Sequence, residues 1–109
     1  MSRDTFIQQD CRRVIAVQFG FDFDGEGSQD LEDRESAFRA LLIERIVALL
    51  THDMERLMNI LYRVDVSEAL AARAFRDNAP EHIAPALADL IIERQLAKAE
   101  TRARYRNNG

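Results

Sequence analysis

The stretch that decides the fold runs from Leu31 to Arg63, LEDRESAFRALLIERIVALLTHDMERLMNILYR. Leu31, Phe38, Leu41, Leu42, Arg45, Ile46 and Leu49 fall on one side of an α-helix, the period expected of an element that buries a stripe. Ser28 or Asp30 is placed to cap its start, and Glu32, Asp33 and Glu35 put negative charge on its positive end. Glu35 and Arg39, one turn apart, form a favourably oriented pair. The helix is expected to reach about Leu50. Met54, Leu57, Met58 and Leu61, with Ile60 beside them, keep the period as far as Arg63. Between the two runs, Thr51-His52-Asp53 holds neither glycine nor proline, so a new cap and an unbroken helix both remain open there. Either way, Leu31 to Arg63 is read as the long central element. The Met54, Leu57, Met58, Leu61 stripe is assigned to the core, with a pliable methionine-rich binding groove as the other reading.

Working outward, Phe6, Ile7, Cys11, Val14, Ile15 and Phe19 also recur at three and four, which predicts a helix from Thr5 to Phe19 that ends at Gly20. The β-branched Val14, Ile15 and Val17 leave a strand as the alternative for its second half. On the other side, Asp65-Val66-Ser67-Glu68 matches a reciprocal cap in which Asp65 opens a short helix to about Arg76. Asp77-Asn78-Ala79-Pro80 reads as a turn, with Pro80 suited to a first helical position. Leu87, Leu90, Ile91, Arg94 and Ala97 carry the last helix towards Arg104, and Pro85 is expected to roughen or kink its start. The expected fold is therefore all-α: one domain over residues 1–109, an antiparallel bundle of four to five helices with short connections and one long central helix.

The chain has 109 residues, 47% of them hydrophobic, enough for one core without disulfide or metal staples. Its formal net charge of −4 argues against a general nucleic-acid binder. Cys11 is the only cysteine, so no internal disulfide can form and a reducing, cytoplasmic setting is the expectation. The start of the chain lacks the apolar run of a signal peptide, and the longest apolar stretches are broken by Glu44, Arg45 or Glu93.

One segment has the composition of a ligand site. The acidic loop over residues 21–30, continued into the next helix, sets out Asp22, Asp24, Glu26, Asp30 and Asp33. Counted from Asp22, these acids stand at positions one, three, five, nine and twelve, with Gly27 at the sixth, which resembles the calcium loop of EF-hand proteins. The resemblance implies oxygen ligation of calcium or another divalent cation by those five acids. It covers only Asp22 to Asp33. Gln29 stands where the family has an apolar residue, Asp33 replaces the longer bidentate glutamate, Gly20 interrupts the incoming helix, and no second loop is present to pair with it. The other reading is a solvated loop whose last acids cap the following helix, with Phe21 and Phe23 tucked beneath it.

A basic ridge forms the second candidate, in the C-terminal end over residues 94–109. Arg94, Lys98, Arg102 and Arg106 follow at spacings of four, with Arg104 beside them; the ridge reads first as a solvated face with no specific role, and otherwise as a surface for nucleic-acid phosphate or for an acidic protein surface, which the chain itself offers from Asp22 to Glu35. His52 and His82 are isolated; His52 and Glu55 stand one turn apart but do not form a metal site by themselves. No nucleophile elbow, phosphate-binding glycine loop or Cys-x-x-Cys occurs. These readings point to a small cytoplasmic helical protein, not an enzyme, acting in protein–protein interaction or assembly as a homodimer and using no cofactor. A calcium-type regulatory module and a nucleic-acid accessory protein stand as the alternatives.

Overall fold

A computed structural model of the chain describes residues 3–27 and 30–108. They form five helices, α1 (Arg3–Phe19), α2 (Leu31–His52), α3 (Met54–Arg63), α4 (Glu68–Asp77) and α5 (Pro80–Asn108), with one 3-10 turn, Asp24–Gly27, between α1 and α2. There is no strand among the described residues, and α1 continues as helix through Val14, Ile15 and Val17. The all-α bundle expected from the periodicity is the fold of the chain.

The long element differs from expectation. Leu31 to Arg63 is two helices, because Asp53 leaves helical geometry at φ −157° while its carboxylate accepts the N–H of Arg56 and its own N–H still bonds the Leu49 carbonyl. One aspartate thus closes α2 and caps α3. Arg45 of α2 and Arg56 of α3 both come close to Gly20, so α3 folds back along α2. The longest helix is α5, with 29 residues, and it packs against α1, α2 and α4. Pro85 lies inside it, where the missing N–H deprives the Glu81 carbonyl of its partner four residues on, yet the helix runs on from Pro80.

Contacts fix the directions. Phe6 meets Arg106 and Asp10 meets Arg102, so α1 and α5 are antiparallel. Arg12 pairs with Glu35 while Arg45 donates to the Phe19 carbonyl, so α1 and α2 run in the same sense. That arrangement requires the connection between them to travel back along α1, and Gly20 makes the reversal. At φ 72° Gly20 occupies the left-handed region, its N–H shared between the Ala16 and Val17 carbonyls and the N–H of Phe21 bonded to Ala16. This is a helix-terminating motif that glycine adopts without a Cβ penalty.

The same motif closes α3, and it corrects the reading of Asp65. The N–H of Val66 bonds the Leu61 carbonyl and that of Asp65 bonds Tyr62, with Asp65 at φ 62°. Asp65 therefore ends α3; it does not open α4. The cap of α4 is Ser67, whose hydroxyl accepts the Leu70 N–H. An aspartate tolerates the left-handed position better than most side chains, and here Arg94 and Lys98 of α5 also hold its carboxylate.

One contiguous cluster of buried side chains draws on all five helices, among them Ile15, Phe19, Leu42, Ile46, Leu57, Ala71, Leu87 and Ile91. Each of the large members contributes about 1.5–3 kcal/mol of transfer free energy. Ala84, Ala88, Ala99 and Ala103 are buried along α5, where their small size lets neighbouring helices approach. Gln95 is buried on the same face and donates to the Val64 carbonyl at 2.7 Å, satisfying a backbone group at the end of α3. The α3 stripe divides: Leu57, Ile60 and Leu61 enter the core, but Met54 and Met58 stay exposed.

Candidate functional site

The returning connection builds a groove. Beyond Gly20, the rings of Phe21 and Phe23 lie on Phe38 of α2, with centroids 5.8 Å and 5.3 Å away and the second pair edge-to-face. Gly25 follows because a Cβ there would overlap the Phe23 ring. The 3-10 turn then carries Glu26 back to Arg12. Between this segment and α1 a cavity of about 670 Å³ remains, walled by Phe6, Ala16 and Val17 on one side and Phe21 and Phe23 on the other, with Arg106 at its end. Its size and its lining, apolar at Phe6, Val17 and the two rings but also polar at Gln9, Arg13 and Asp22, are those of a binding site for a small molecule or a peptide segment.

Arg12 anchors the far wall. Only 4% of its side chain is exposed, and its guanidinium donates from Nε and Nη2 to the two Glu26 carboxylate oxygens at 2.6 and 2.8 Å and from Nη1 to Glu35 at 3.2 Å. Burial alone would lower its pKa, but the hydrogen bond and charge of Glu26, reinforced by Glu35, shift it upward. Next to it, the buried Cys11 thiol is pushed up to about 12 by desolvation. Such a thiol is a core group and a poor nucleophile.

Asp10 forms the second buried charge, accepting from Arg13 at 2.7 Å and from Nε and Nη2 of Arg102 at 3.0 and 2.9 Å. Burial would raise its pKa, yet those hydrogen bonds and charges outweigh it and hold the carboxyl below its ordinary value of 3.8. A folded-state pKa below the unfolded one means the contribution is complete above the unfolded value and disappears as pH falls through the folded one. Asp10→Asn should therefore melt below wild type near neutral pH. The difference should shrink as pH falls below the ordinary carboxyl value of 3.8, as thermal melts on both sides of that value will read; a gap of constant size throughout would contradict the assignment.

The acids singled out in the sequence do not converge. Asp22 and Asp24 are exposed, Glu26 is engaged by Arg12, and Asp30 accepts the N–H of Asp33 at 3.2 Å as the cap of α2. Ser28 and Gln29 lie outside the described residues. Among the described residues no group of three or more His, Cys, Asp or Glu side chains is placed to hold a metal ion. His52 and Glu55 are exposed and separated by the break at Asp53.

The basic ridge is largely committed within the chain. Arg94 and Lys98 bind Asp65 at 2.6 and 3.4 Å, Arg102 binds Asp10, Arg104 binds Glu100 at 3.3 Å, and Arg106 lies 5.2 Å over the Phe6 ring. The ridge thus pairs with Asp65 and Asp10, whereas the acidic loop finds its cation in Arg12. Likewise Glu35 bonds Arg12, and Arg39 bonds Asp89 of α5, so the expected Glu35–Arg39 pair does not form. Arg12, Phe6 and Val17 were not identified as site residues from sequence. The available signal was Arg12 itself, a charge flanking Cys11 on the apolar side of α1.

Among the described residues no helix is long and apolar enough to cross a membrane. No protein-family model, no curated protein and no solved structure matches the chain.

Proposed function

We propose that this is a non-catalytic interaction protein of the cytoplasm that receives an apolar segment of a partner protein in the groove along α1 and pairs with a second copy of itself. The observation that carries the reading is the groove, whose apolar walls include Val17 at 68% exposure and whose buried charges are already neutralised by Arg12–Glu26 and Asp10–Arg102 pairing. A catalytic site needs a charged or nucleophilic group held ready for substrate; here Arg12 and Asp10 are engaged and the Cys11 thiol is buried and protonated. A buried free thiol also suits a reducing compartment.

Selection of random displayed peptides on the purified protein tests the groove. Peptides that bind at micromolar Kd should lose about tenfold or more in affinity on Val17→Glu, because a charge would enter the apolar wall. The substitution lies at an exposed position and should change stability by about 0.5 kcal/mol or less. Peptides that bind the variant as tightly as wild type would remove the groove as the site.

A further inference from the structure

We propose that a second copy of this chain docks on the exposed face of α3 as an antiparallel, two-fold symmetric pair. The inference names the surface for the self-association included in the function above. Two adjacent ridges make up that face. Met54, Met58 and Tyr62, spaced by four, are 44%, 47% and 79% exposed, an unusual exposure for three large apolar side chains in a row. Beside them Glu55, Asn59 and Arg63, also spaced by four, are all exposed.

The order of these residues selects both the occupant and its direction. Among the described residues neither Glu55 nor Arg63 has an ion-pair partner, as is true of other exposed charges such as Glu68 and Arg73; what sets these two apart is their placement at the two ends of the ridge beside the exposed apolar one. Their signs are opposite and they lie equally far from Asn59. An antiparallel copy centred there sets Glu55 against the second copy's Arg63 at one end and Arg63 against its Glu55 at the other, with Asn59 meeting Asn59 at the axis. The apolar ridge has nearly the same centre, so Met58 meets Met58 and each Met54 meets a Tyr62. A parallel copy would oppose like charges at both ends. This reciprocity, in which residue i meets j and j meets i, is the signature of a closed two-fold interface. An unrelated partner would have no reason to need it.

A pair of ten-residue helices is at the small end of specific interfaces. The expected dimer is therefore weak, with Kd on the order of 10 µM. Sedimentation equilibrium of the full chain, with helicity checked by circular dichroism, tests the proposal. At about 0.1 mM, about ten times that Kd, roughly four fifths of the chains should be paired, so wild type should show a weight-average mass of about 1.8 times the chain mass of 12.5 kDa. Met58→Glu should be monomeric with unchanged helicity. Glu55→Arg and Arg63→Glu should each weaken the pair about tenfold, since either one creates two repulsive contacts, and the double variant E55R/R63E should return to within about threefold of wild type.

A monomeric wild type would overturn self-association altogether. A dimer that survives Met58→Glu, or a double variant no tighter than its singles, would overturn the α3 face while leaving self-association standing. Peptide binding in the α1 groove reads a different surface, so either result is separable from that of the groove assay.

Discussion

Phe38→Ala is expected to remove about 3–5 kcal/mol of stability, the range for deleting a buried aromatic ring, and to release the wall of the groove in the same step. Phe38 is 3% exposed and carries both Phe21 and Phe23, the two rings that hold the returning connection against the bundle. Backbone hydrogen bonds at Gly20 start that segment, and the Arg12–Glu26 pair fastens its far end. Taking away the central support leaves a segment tied only at its ends. Urea unfolding will report the global loss, and amide hydrogen exchange over residues 21–26 will report the local one. A stability change under about 1 kcal/mol, or wild-type protection of that segment, would contradict the role assigned to the ring. Phe38→Leu should recover part of both, because it refills most of the volume without restoring the edge-to-face contact.

Arg12→Ala is expected to lose about 2–4 kcal/mol. Breaking a fully buried pair by removing one partner costs about 3–5 kcal/mol, because the abandoned charge is left without solvent. Here the arginine is buried but Glu26 is 30% and Glu35 44% exposed, so water can take over part of what Arg12 supplied, and the estimate is lower. Arg12→Met should lose roughly half as much, since it keeps the apolar stem in place. The control is Arg39→Ala, which removes an exposed pair with Asp89 and should change stability by about 1 kcal/mol or less. Denaturant melts of the three variants will order them; equal losses at Arg12 and Arg39 would show that burial of the Arg12 guanidinium carries no energetic weight.

The helices were legible because each buries a stripe at helical period, and period survives in one dimension. The start of α2 at Asp30, the end of α1 at Gly20 and the place of Pro80 followed from local chemistry that a few residues determine. What misled was chemistry with two local solutions. Asp65 satisfies the pattern of an N-cap, but the backbone used it one motif earlier, as the left-handed residue that ends α3, because α5 supplies Arg94 and Lys98 to hold it. Asp53 could only be read as optional, since whether a helix breaks there depends on whether folding back buries Leu57 and Ile60. Partners of charges were the least legible. Arg12 sits 14 residues from Glu26 and 23 from Glu35, and Arg102 sits 92 from Asp10, so nothing in local spacing could match them. Glu26 of the loop and Arg94, Lys98 and Arg102 of the ridge have their counterions on elements that the spacing does not connect, whereas Arg104 pairs within its own helix and Asp22 and Asp24 stay exposed. The buried alanines of α5 gave little signal either: Ala97 was placed on its periodic face and is exposed, while Ala99 and Ala103 are the ones enclosed.

The pairing of α1 with α5 also sets the order of events during synthesis. Ile15 and Phe19 belong to a core whose far members, Leu87 and Ile91, are made 68 to 76 residues later. A ribosome adding about 5–20 residues per second therefore presents α1 to the cell for several seconds before its partner exists, with Arg12 and Asp10 interrupting an otherwise apolar surface. Closing so long a loop is entropically the last contact to form. Completion of α5 thus closes the core around α1, and a chain ended before Leu87 would leave Ile15 and Phe19 with only α2 and α3 beside them.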